Sequence, residues 1–447
     1  MKRHQIFLSL FLVLAGQVFS QALPDPVFNS TIRQVNGGWI AGDATFSIAL
    51  PNSKTLWLFG DSFIGTVNPD NSVAGGAKMI RNCAVIQDGN SMTALFGGTF
   101  QSPKSFVPSV DENSSWYWPE HGIVENDTLK IFFSEFMLVN SPSGFSFKYK
   151  AVMLARFTYP NIAFVDSRKL SYYDLNGVCY GNSILVDNGY TYIFGRQEYD
   201  VVYHISYPHL ARVPVGNIMA PWEFFNGSSW SADPAQSLQI SNEPVSQQYG
   251  VLKWNKKFVV ISQEIWNSSR IYSYMSDFIE GPWNKKTMIY DTPILFDNAY
   301  TYGAFPHPQF NADGKLLISY NSNGNSADIF KNVEVYRPRF IRVPFSLIDS
   351  PYASNRENSK RTNNAESVIV YQNYPNPAKD ETKVKFTVIK RGYVSLQLNT
   401  IEGKEMHNYV NKILDPGEYD INIDVSSLKC GIYSYRINNS GFKLIKN

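Results

Sequence analysis

The chain has 447 residues, with 40 Lys and Arg against 38 Asp and Glu and a formal net charge of +2. This length leaves room for two or three domains, and the dispersed basic residues exclude the positive stripe that nucleic-acid binding requires. Aromatic residues reach 15% while charged residues make up only 17%. That balance favours a neutral, hydroxyl-rich ligand that stacks on rings over a polyanion.

The N-terminus has the order of a secretory signal peptide. Lys2 and Arg3 precede a mainly apolar run, Ile6–Leu14, and small and polar residues follow. We predict cleavage after Ser20, because the apolar run is too short to span a bilayer; a retained membrane anchor is the less favoured alternative. No later segment approaches the ~20 apolar residues of a membrane helix. A soluble mature protein, secreted or held at the cell surface after passage through the periplasm, is expected.

The cysteines are too few to cross-link a chain of this size. Cys83, Cys179 and Cys430 also lack the spacing of metal ligands. In an oxidising compartment Cys83 and Cys179 can form a disulfide, and buried free thiols are the equal alternative. The sequence predicts no metal and no cofactor, and it offers no support for a structural calcium ion.

Residues 21–350 are predicted to be all-β because one hairpin pattern recurs with almost no helical periodicity. Each copy has a Gly-rich or aromatic start, a strand, a turn and an aromatic strand. The five copies are Gly42–Ile48 with Thr55–Phe59, Trp118–Val124 with Leu129–Phe133, Tyr180–Val186 with Tyr190–Phe194, Gln248–Leu252 with Lys257–Ile261, and Tyr302–Pro308 with Leu316–Tyr320. Copies about 50 to 80 residues apart fit one four-stranded blade each. The pattern predicts a five-bladed β-propeller, whose first strands would gather their polar residues in a central channel.

Asp43 and Asp61 are the favoured catalytic residues of that channel. They begin and follow the first hairpin, 18 residues apart, each directly after a glycine. The hairpin can bring both to one end of the blade, where two carboxyl groups suit glycoside hydrolysis as acid and as nucleophile or base. The alternative for either residue alone is a turn cap bonded to its own backbone.

Other candidate residues are less specific. Glu120 begins the second copy and Glu264 ends the fourth hairpin, so both are further candidate acids, with a solvated loop as the alternative for Glu120. The remaining substrate-binding candidates are polar or aromatic side chains near the blade starts: Trp116, Trp118, Asn182, Gln248, Tyr302 and His307. The tryptophans can stack on sugars or fill the core, and a lone histidine is more often a hydrogen-bonded part of the structure.

The C-terminal part is predicted to be a separate β-domain. Residues 351–366 are polar without hydrophobic periodicity and are expected to form a linker. Residues 367–447 then contain alternating apolar runs, which indicate a small Ig-like antiparallel β-sandwich. The runs are Lys383–Val388, Gly392–Leu398, Tyr419–Val425 and Gly431–Ile437. An ordinary sugar-binding sandwich is the alternative.

Several motifs of this domain resemble a type A sorting domain of the type IX secretion system. They are Tyr371–Pro377, the turn Pro416–Tyr419, Leu428–Tyr433 and the basic end Lys443–Lys446. The resemblance implies a Bacteroidetes-type Gram-negative source, passage across the outer membrane with the type IX machinery as a partner, and later removal of the domain or its replacement by a surface anchor.

The first hairpin carries a second resemblance. Gly37–Ser47 and Leu56–Phe63 resemble a family of uncharacterised bacterial propeller domains related to actinobacterial endo-D-arabinanases, which are five-bladed glycoside hydrolases. The resemblance implies that Asp43 and Asp61 form the catalytic pair. Ala44 departs from the family, which often has Gly there, so the substrate does not follow from the fold.

Taken together, these features predict a monomeric, secreted glycoside hydrolase acting on a polysaccharide, with arabinan-like polymers among the candidates. The alternative is a non-catalytic, carbohydrate-binding propeller at the cell surface. The sugar, the linkage, endo or exo action and the stereochemistry are left open.

Overall fold

The computed structural model describes residues 21–139, 146–200, 204–265, 268–297, 299–349, 368–370, 373, 375–388, 391–400, 405–437 and 440–446. The chain divides into two compact units, Met1–Ser354 and Asn355–Asn447, and strands dominate both. The predicted signal peptide and linker lie outside the described residues. None of the described helices is long and apolar enough to cross a membrane.

The first unit opens with elements that meet its last strand. Strand β1 (Leu23–Pro24) pairs antiparallel with residues 341 and 342. Asp25 then caps helix α1 (Pro26–Thr31) by accepting hydrogen bonds from two backbone N–H groups of its first turn, and a 3₁₀ turn, Ile32–Gln34, follows.

The first large sheet is a four-stranded meander built on the first predicted hairpin. In chain order the strands are β2 (Trp39–Gly42), β3 (Phe46–Ala49), β4 (Thr55–Phe59), β5 (Ser62–Ile64), β6 (Lys78–Ile80), β7 (Cys83–Asp88), β8 (Ser91–Leu95), β9 (Gly97–Gly98) and β10 (Pro103–Lys104). Sheet 1 has the order β3–β4–β7–β8, beside the small sheet β2–β5–β6 and the pair β9–β10. Every residue of β4 is buried, as expected for a central strand that reads as an unbroken apolar run.

Sheets 2 and 3 are also antiparallel sheets whose strands follow one another in chain order. Sheet 2 consists of β11 (Ser115–Glu125), β12 (Thr128–Leu138), β13 (Phe147–Thr158) and β14 (Phe164–Leu170) in this order. After helix α2 (Tyr172–Asn176), sheet 3 consists of β15 (Cys179–Asp187), β16 (Tyr190–Asp200), β17 (Ile205–Pro214), β18 (Glu223–Phe225) and β19 (Trp230–Ser231), followed by a 3₁₀ turn, Pro234–Gln236.

Sheets 4 and 5 complete the first unit. Sheet 4 consists of β20 (Tyr249–Trp254), β21 (Lys257–Gln263), β22 (Arg270–Ser276) and β23 (Asn284–Asp291). The next elements are β24 (Tyr300–Pro306), the 3₁₀ turn Pro308–Phe310, β25 (Lys315–Asn323), helix α3 (Ser326–Lys331), the 3₁₀ turn Val333–Tyr336, β26 (Arg339–Pro344) and helix α4 (Phe345–Ile348). Sheet 5 has the order β24–β25–β26–β1, so the N-terminal strand supplies its edge. All five predicted hairpins are present as antiparallel pairs.

The sheets of the first unit pack against one another in a cyclic order. Each of five hydrophobic clusters contains buried side chains from two neighbouring sheets. Representative pairs are Leu58 with Ile131 (sheets 1 and 2), Leu154 with Ile193 (2 and 3), Phe194 with Val260 (3 and 4), Ile261 with Ile318 (4 and 5), and Phe340 with Trp57 (5 and 1). Burial of both faces of each sheet supplies the hydrophobic stabilisation of the unit.

The second unit consists of two antiparallel sheets around one core. Its strands are β27 (Val368–Val370), β28 (Glu381–Val388), β29 (Gly392–Thr400), β30 (Glu405–Leu414), β31 (Gly417–Asp424), β32 (Gly431–Ile437) and β33 (Ser440–Lys446). The sheet orders are β27–β28–β31 and β30–β29–β32–β33. Phe386 of one sheet and Leu396 of the other share the same core cluster, and the four predicted alternating runs all contain strands.

Candidate active site

The first hairpin brings Asp43 and Asp61 to the same end of sheet 1. Asp43 precedes β3 and Asp61 follows β4, and the Gly60 N–H donates to the Asp43 carbonyl at 3.0 Å. A side chain at Gly60 would put its Cβ 2.5 Å from Asp43 Oδ1, so glycine is required for this close approach. The buried hydroxyl of Tyr336 donates to the Asp61 carbonyl at 3.1 Å and also hydrogen-bonds the Asp43 carboxyl group. The two carboxyl groups therefore share one site.

The surroundings of Asp43 favour its protonated form. Burial, and next the negative charge of Asp61, raise its pKa from 3.8 to about 7, although hydrogen bonds from tyrosines oppose the rise. Tyr302 donates to Asp43 Oδ2 at 2.5 Å. The hydroxyl group of Tyr336 also hydrogen-bonds the Asp43 carboxyl group, and this contact lowers the pKa of Asp43.

The surroundings of Asp61 favour its ionised form more than those of Asp43. Trp118 Nε1 donates to Asp61 Oδ1 at 2.8 Å, and Arg81 Nη1 lies 3.3 Å from Oδ2. Burial raises the pKa of Asp61, while the charge of Arg81 and both N–H donors act against the rise. The side chain keeps one-fifth of its surface exposed. Arg81 itself stacks over the Trp116 ring at 4.3 Å.

A second polar cluster lies where sheets 2, 3 and 4 begin. Arg196 Nη1 contacts Glu120 Oε1 and Asn182 Oδ1 at 3.2 and 3.0 Å, and its Nε donates to the Gln247 side chain at 2.7 Å. Ser134 also donates to Glu120, at 2.6 Å. Burial raises the pKa of Glu120, against the charge of Arg196. With this many donors on one carboxyl group, the cluster is a buried ion pair that is hydrogen-bonded on all sides.

Strand bulges place several of these side chains. The register shifts between Pro119 and Gly122 in β11, between Tyr180 and Ser183 in β15, and between Tyr302 and Phe305 in β24. A bulge puts an extra residue in the strand and redirects its side chain. Glu120 and Asn182 occupy two of these bulges and Gly303 the third, which explains why they leave the ordinary alternation of their strands.

The family of the chain follows from its sequence match. A family model described as Domain of unknown function (DUF5005) matches residues 25–372. The chain belongs to this family. A second model, described as Secretion system C-terminal sorting domain, matches residues 372–447 and indicates export to the cell surface or beyond it. No match was found among curated proteins.

One solved structure supports the fold of this DUF5005 member, and two others resemble it only weakly. A candidate hydrolase from Bacteroides ovatus has a TM-score of 0.62 and 18% identity, covering 76% of this chain and 92% of its own. A GH43_1 enzyme from Xanthomonas citri in complex with xylose reaches 0.40 with 11% identity, covering 72% and 93%. An exo-β-1,3-galactanase from Phanerochaete chrysosporium reaches 0.38 with 12% identity, covering 86% and 92%. The first likeness shows the fold alone, and the other two scores are too low to carry an argument.

Some predicted site residues come together and others do not. Trp118 and Tyr302 contact the aspartate pair, whereas Asn182 lies with Glu120 in the second cluster. Glu264 stands apart, in an ion pair of 2.8 Å with Arg270.

Three further predicted residues are buried. Trp116 is 2% exposed beneath Arg81, and Gln248 is 8% exposed. His307 is fully buried between Ser47 and Ser319, at 2.6 and 2.8 Å. As the structure places them, Trp116 and His307 have no face free to contact a sugar.

The sequence interpretation missed Arg81, Tyr336 and Arg196. Arg81 stands just before β7, which pairs with β4, so the start of the third strand was a usable signal. Tyr336 comes from a 3₁₀ turn 275 residues after Asp61, and no sequence signal connected it with the pair. Among the described residues, no three His, Cys, Asp or Glu side chains gather as a metal site, and all three cysteines are free thiols. The absence of a cofactor remains a prediction.

Proposed function

We propose that the first unit is a five-bladed β-propeller and a secreted glycoside hydrolase whose catalytic residues are Asp43 and Asp61. The observation that carries the proposal is the difference between two neighbouring, partly buried carboxyl groups. Asp43 is surrounded by phenol hydroxyls beside a negative charge, and Asp61 by an indole N–H and a guanidinium group. Glycosidases need such a pair, one group protonated and one ionised.

In the proposed reaction, Asp43 gives its proton to the glycosidic oxygen as the bond from that oxygen to the anomeric carbon breaks. Asp61 either attacks the anomeric carbon or takes a proton from the water that attacks it. Water is consumed, and one hydroxyl group forms on each product. Arg81 and Trp118 would keep Asp61 ionised, while Tyr336 and Tyr302 would orient the Asp43 carboxyl group.

An aromatic wall beside Asp61 supports a neutral saccharide as substrate. The Trp118 ring lies 4.5 Å from Phe136 and 5.3 Å from Phe147, and all three side chains are partly exposed. Aromatic faces bind the C–H faces of sugars without requiring charge on the ligand. We propose Trp118 as the stacking residue and Tyr302 as a polar contact. Asn182 is fully buried, so we do not propose that it contacts the substrate.

The test is cleavage of arabinans and other plant, algal and mycobacterial polysaccharides by the full chain. Asp43→Asn and Asp61→Asn are expected to lower product release at least ~10³-fold, because each removes a group that acts on the reacting bond. Asp70→Asn, in an exposed turn, is the matched control and should retain full activity. Release that survives both active-site variants would refute the assignment and move it to Glu120 or Glu264.

Binding without product release would instead support the non-catalytic, carbohydrate-binding propeller. The aromatic wall is the one observation that favours this second function, since stacking needs no acid pair. Trp118→Ala would then weaken binding, whereas Asp43→Asn would not. NMR of the first product, where there is one, gives the anomeric configuration.

Export and processing form a further part of the proposal. We propose that residues 1–20 are removed, that residues 351–366 link the two units, and that residues 367–447 form the sorting domain, with an Ig-like fold. Mass spectrometry of protein released by the native host would find Gln21 at the N-terminus and no peptide from the C-terminal domain. A mature protein that keeps residues 1–20 would contradict the signal-peptide assignment.

A further inference from the structure

The turn that carries Asp43 has a strained backbone. Ala44 and Thr45 follow it with φ angles of 67° and 56°, in the left-handed region that non-glycine residues rarely enter. Thr45 is β-branched, which makes this conformation still less favourable. Two such residues in succession persist only where neighbouring groups hold them, and such strain is common at functional sites.

Two buried amide side chains from other sheets hold this turn. Gln248, just before β20 in sheet 4, donates its Nε2 hydrogen to the Ala44 carbonyl group. Asn321 of β25 in sheet 5 accepts from Thr45 Oγ1 at 2.7 Å, and its Nδ2 lies 3.5 Å from the Ala44 carbonyl oxygen. Thr45 and Asn321 are fully buried and Gln248 is 8% exposed, so water cannot replace these bonds.

The fifth sheet is shaped to admit both amides. Gly303, in the bulge of β24, has a φ of 65°, and a Cβ there would lie 2.6 Å from Gln248 Oε1 and 2.7 Å from Asn321 Nδ2. Its neighbour Tyr302 donates to the Asp43 carboxyl group. The same bulge therefore makes room for the two amide side chains and supplies the Tyr302 hydroxyl group that bonds Asp43.

We propose that Gln248 and Asn321 are positioning residues, whose amides hold the strained Asp43–Thr45 turn so that the Asp43 carboxyl group stays beside Asp61. Neither side chain needs to touch substrate. The catalytic meaning of this role rests on the proposed function, whereas the contact between the amides and the turn does not.

The first test measures the titration of Asp43 without using activity. The difference in stability between a protein and its Asp43→Asn variant changes with pH as Asp43 and its coupled neighbour Asp61 ionise, because groups that do not interact with Asp43 cancel. We expect this change between pH 4 and pH 8 to shrink at least about ten-fold, as a ratio of unfolding constants, in the Gln248→Ala and Asn321→Ala backgrounds. The released turn lets the carboxyl group reach water and titrate as an ordinary aspartate.

Gln87→Ala is the matched control. Gln87 is also a buried glutamine, bonded to Trp57 at 2.8 Å, but it pairs with Thr55 at the far end of the first hairpin. It should lower stability equally at every pH and leave the Asp43 titration unchanged. Retention of the full titration in both Gln248→Ala and Asn321→Ala would overturn the proposal.

A second variant tests the contact between Gln248 and the turn without using the Asp43 titration. Ala44→Gly removes the steric cost of the left-handed turn, so the turn needs less holding, and Gln248→Ala should destabilise the Ala44→Gly protein less than the parent. Equal losses in both backgrounds would overturn the proposal. On any substrate that the wild type cleaves, the kcat of the Gln248→Ala and Asn321→Ala variants should fall at least about ten-fold, while their KM should change little. An inactive parent would refute the proposed hydrolase and leave the stability result decisive.

Discussion

Replacement of Asp43 by Asn should stabilise the protein above neutral pH and have little effect under mildly acidic conditions. Burial and the charge of Asp61 raise the pKa of Asp43 from 3.8 to about 7, and each factor of ten in proton affinity corresponds to 1.36 kcal/mol. Ionising Asp43 in the folded protein thus costs on the order of 2–4 kcal/mol more than in the unfolded chain, the lower figure allowing for solvent at the partly exposed side chain.

The sign follows from the direction of the pKa shift. Because the folded-state pKa lies above the unfolded value, the stability that Asp43 contributes is fully present below pH 3.8 and is lost as the pH rises through about 7. Asn has the same shape as the neutral acid: its oxygen can accept from Tyr302 and its NH₂ group can donate to Tyr336. Asp43→Asn should therefore match the wild type near pH 4 and exceed it by about 2–4 kcal/mol at pH 8.

Tryptophan fluorescence in urea is the suitable assay. All nine tryptophans lie before residue 284, so the signal reports the first unit alone. Asp70→Asn, in an exposed turn, is the control and should show no gain above pH 7. A stability difference that is flat from pH 4 to 8, or a wild type that becomes the more stable protein above pH 5, would mean that Asp43 is ionised, and the acid would have to be sought at Asp61.

Three further predictions test neighbouring features. Arg81→Met should raise the pKa of Asp61 and move the acid limb of the pH–rate profile to higher pH; an unmoved limb would separate Arg81 from the chemistry. The partly buried His121 accepts from the Ile184 N–H at 2.9 Å, and desolvation of its ring lowers its pKa to about 4. The stability that it supplies is therefore complete above pH 6.5 and is lost as the pH falls towards 4. His121→Leu should cost most at pH 8 in urea titrations, and a cost unrelated to pH would contradict this. Phe194→Ala, between sheets 3 and 4, should cost about 3–5 kcal/mol in the same assay, against less than about 0.5 kcal/mol for the exposed Phe278→Ala; equal losses would refute the packing argument.

The repeated hairpins could be predicted from the sequence because their information is local. Each strand pair lies within about twenty residues and alternates or is wholly apolar, so periodicity alone identifies it. The aspartate pair was accessible for the same reason, since Gly42–Asp43 and Gly60–Asp61 flank one hairpin. The cyclic order of the sheets could be expected only from the number of recurring hairpins. Strand β1 is two residues long, so the sequence gave no signal for its pairing with β26.

The surroundings of the pair could not be predicted, because they depend on burial and on contacts between distant segments. Trp116 and Trp118 are two residues apart on one strand and share a face by simple alternation, yet one is buried beneath Arg81 and the other bonds Asp61. Gln248 reaches Ala44 across 204 residues of chain. An alternating pattern identifies the strand, but it does not identify which neighbouring sheet covers a given side chain.

The kind of hydrogen-bonding group around each carboxyl group supports the proposed roles, with Asp43 as the acid and Asp61 as the nucleophile or base. Indole and guanidinium N–H groups can only donate, so around Asp61 they satisfy an ionised carboxylate and leave no acceptor for a proton on it. A phenol oxygen can both donate and accept. The hydroxyl groups of Tyr302 and Tyr336 both hydrogen-bond the Asp43 carboxyl group, and they hold its pKa below the value that burial and the Asp61 charge alone would give. The Tyr336 hydroxyl also donates to the Asp61 carbonyl, so it connects the two proposed catalytic residues. Tyr336→Phe should therefore raise the pKa of Asp43 and move the basic limb of the pH–rate profile to higher pH.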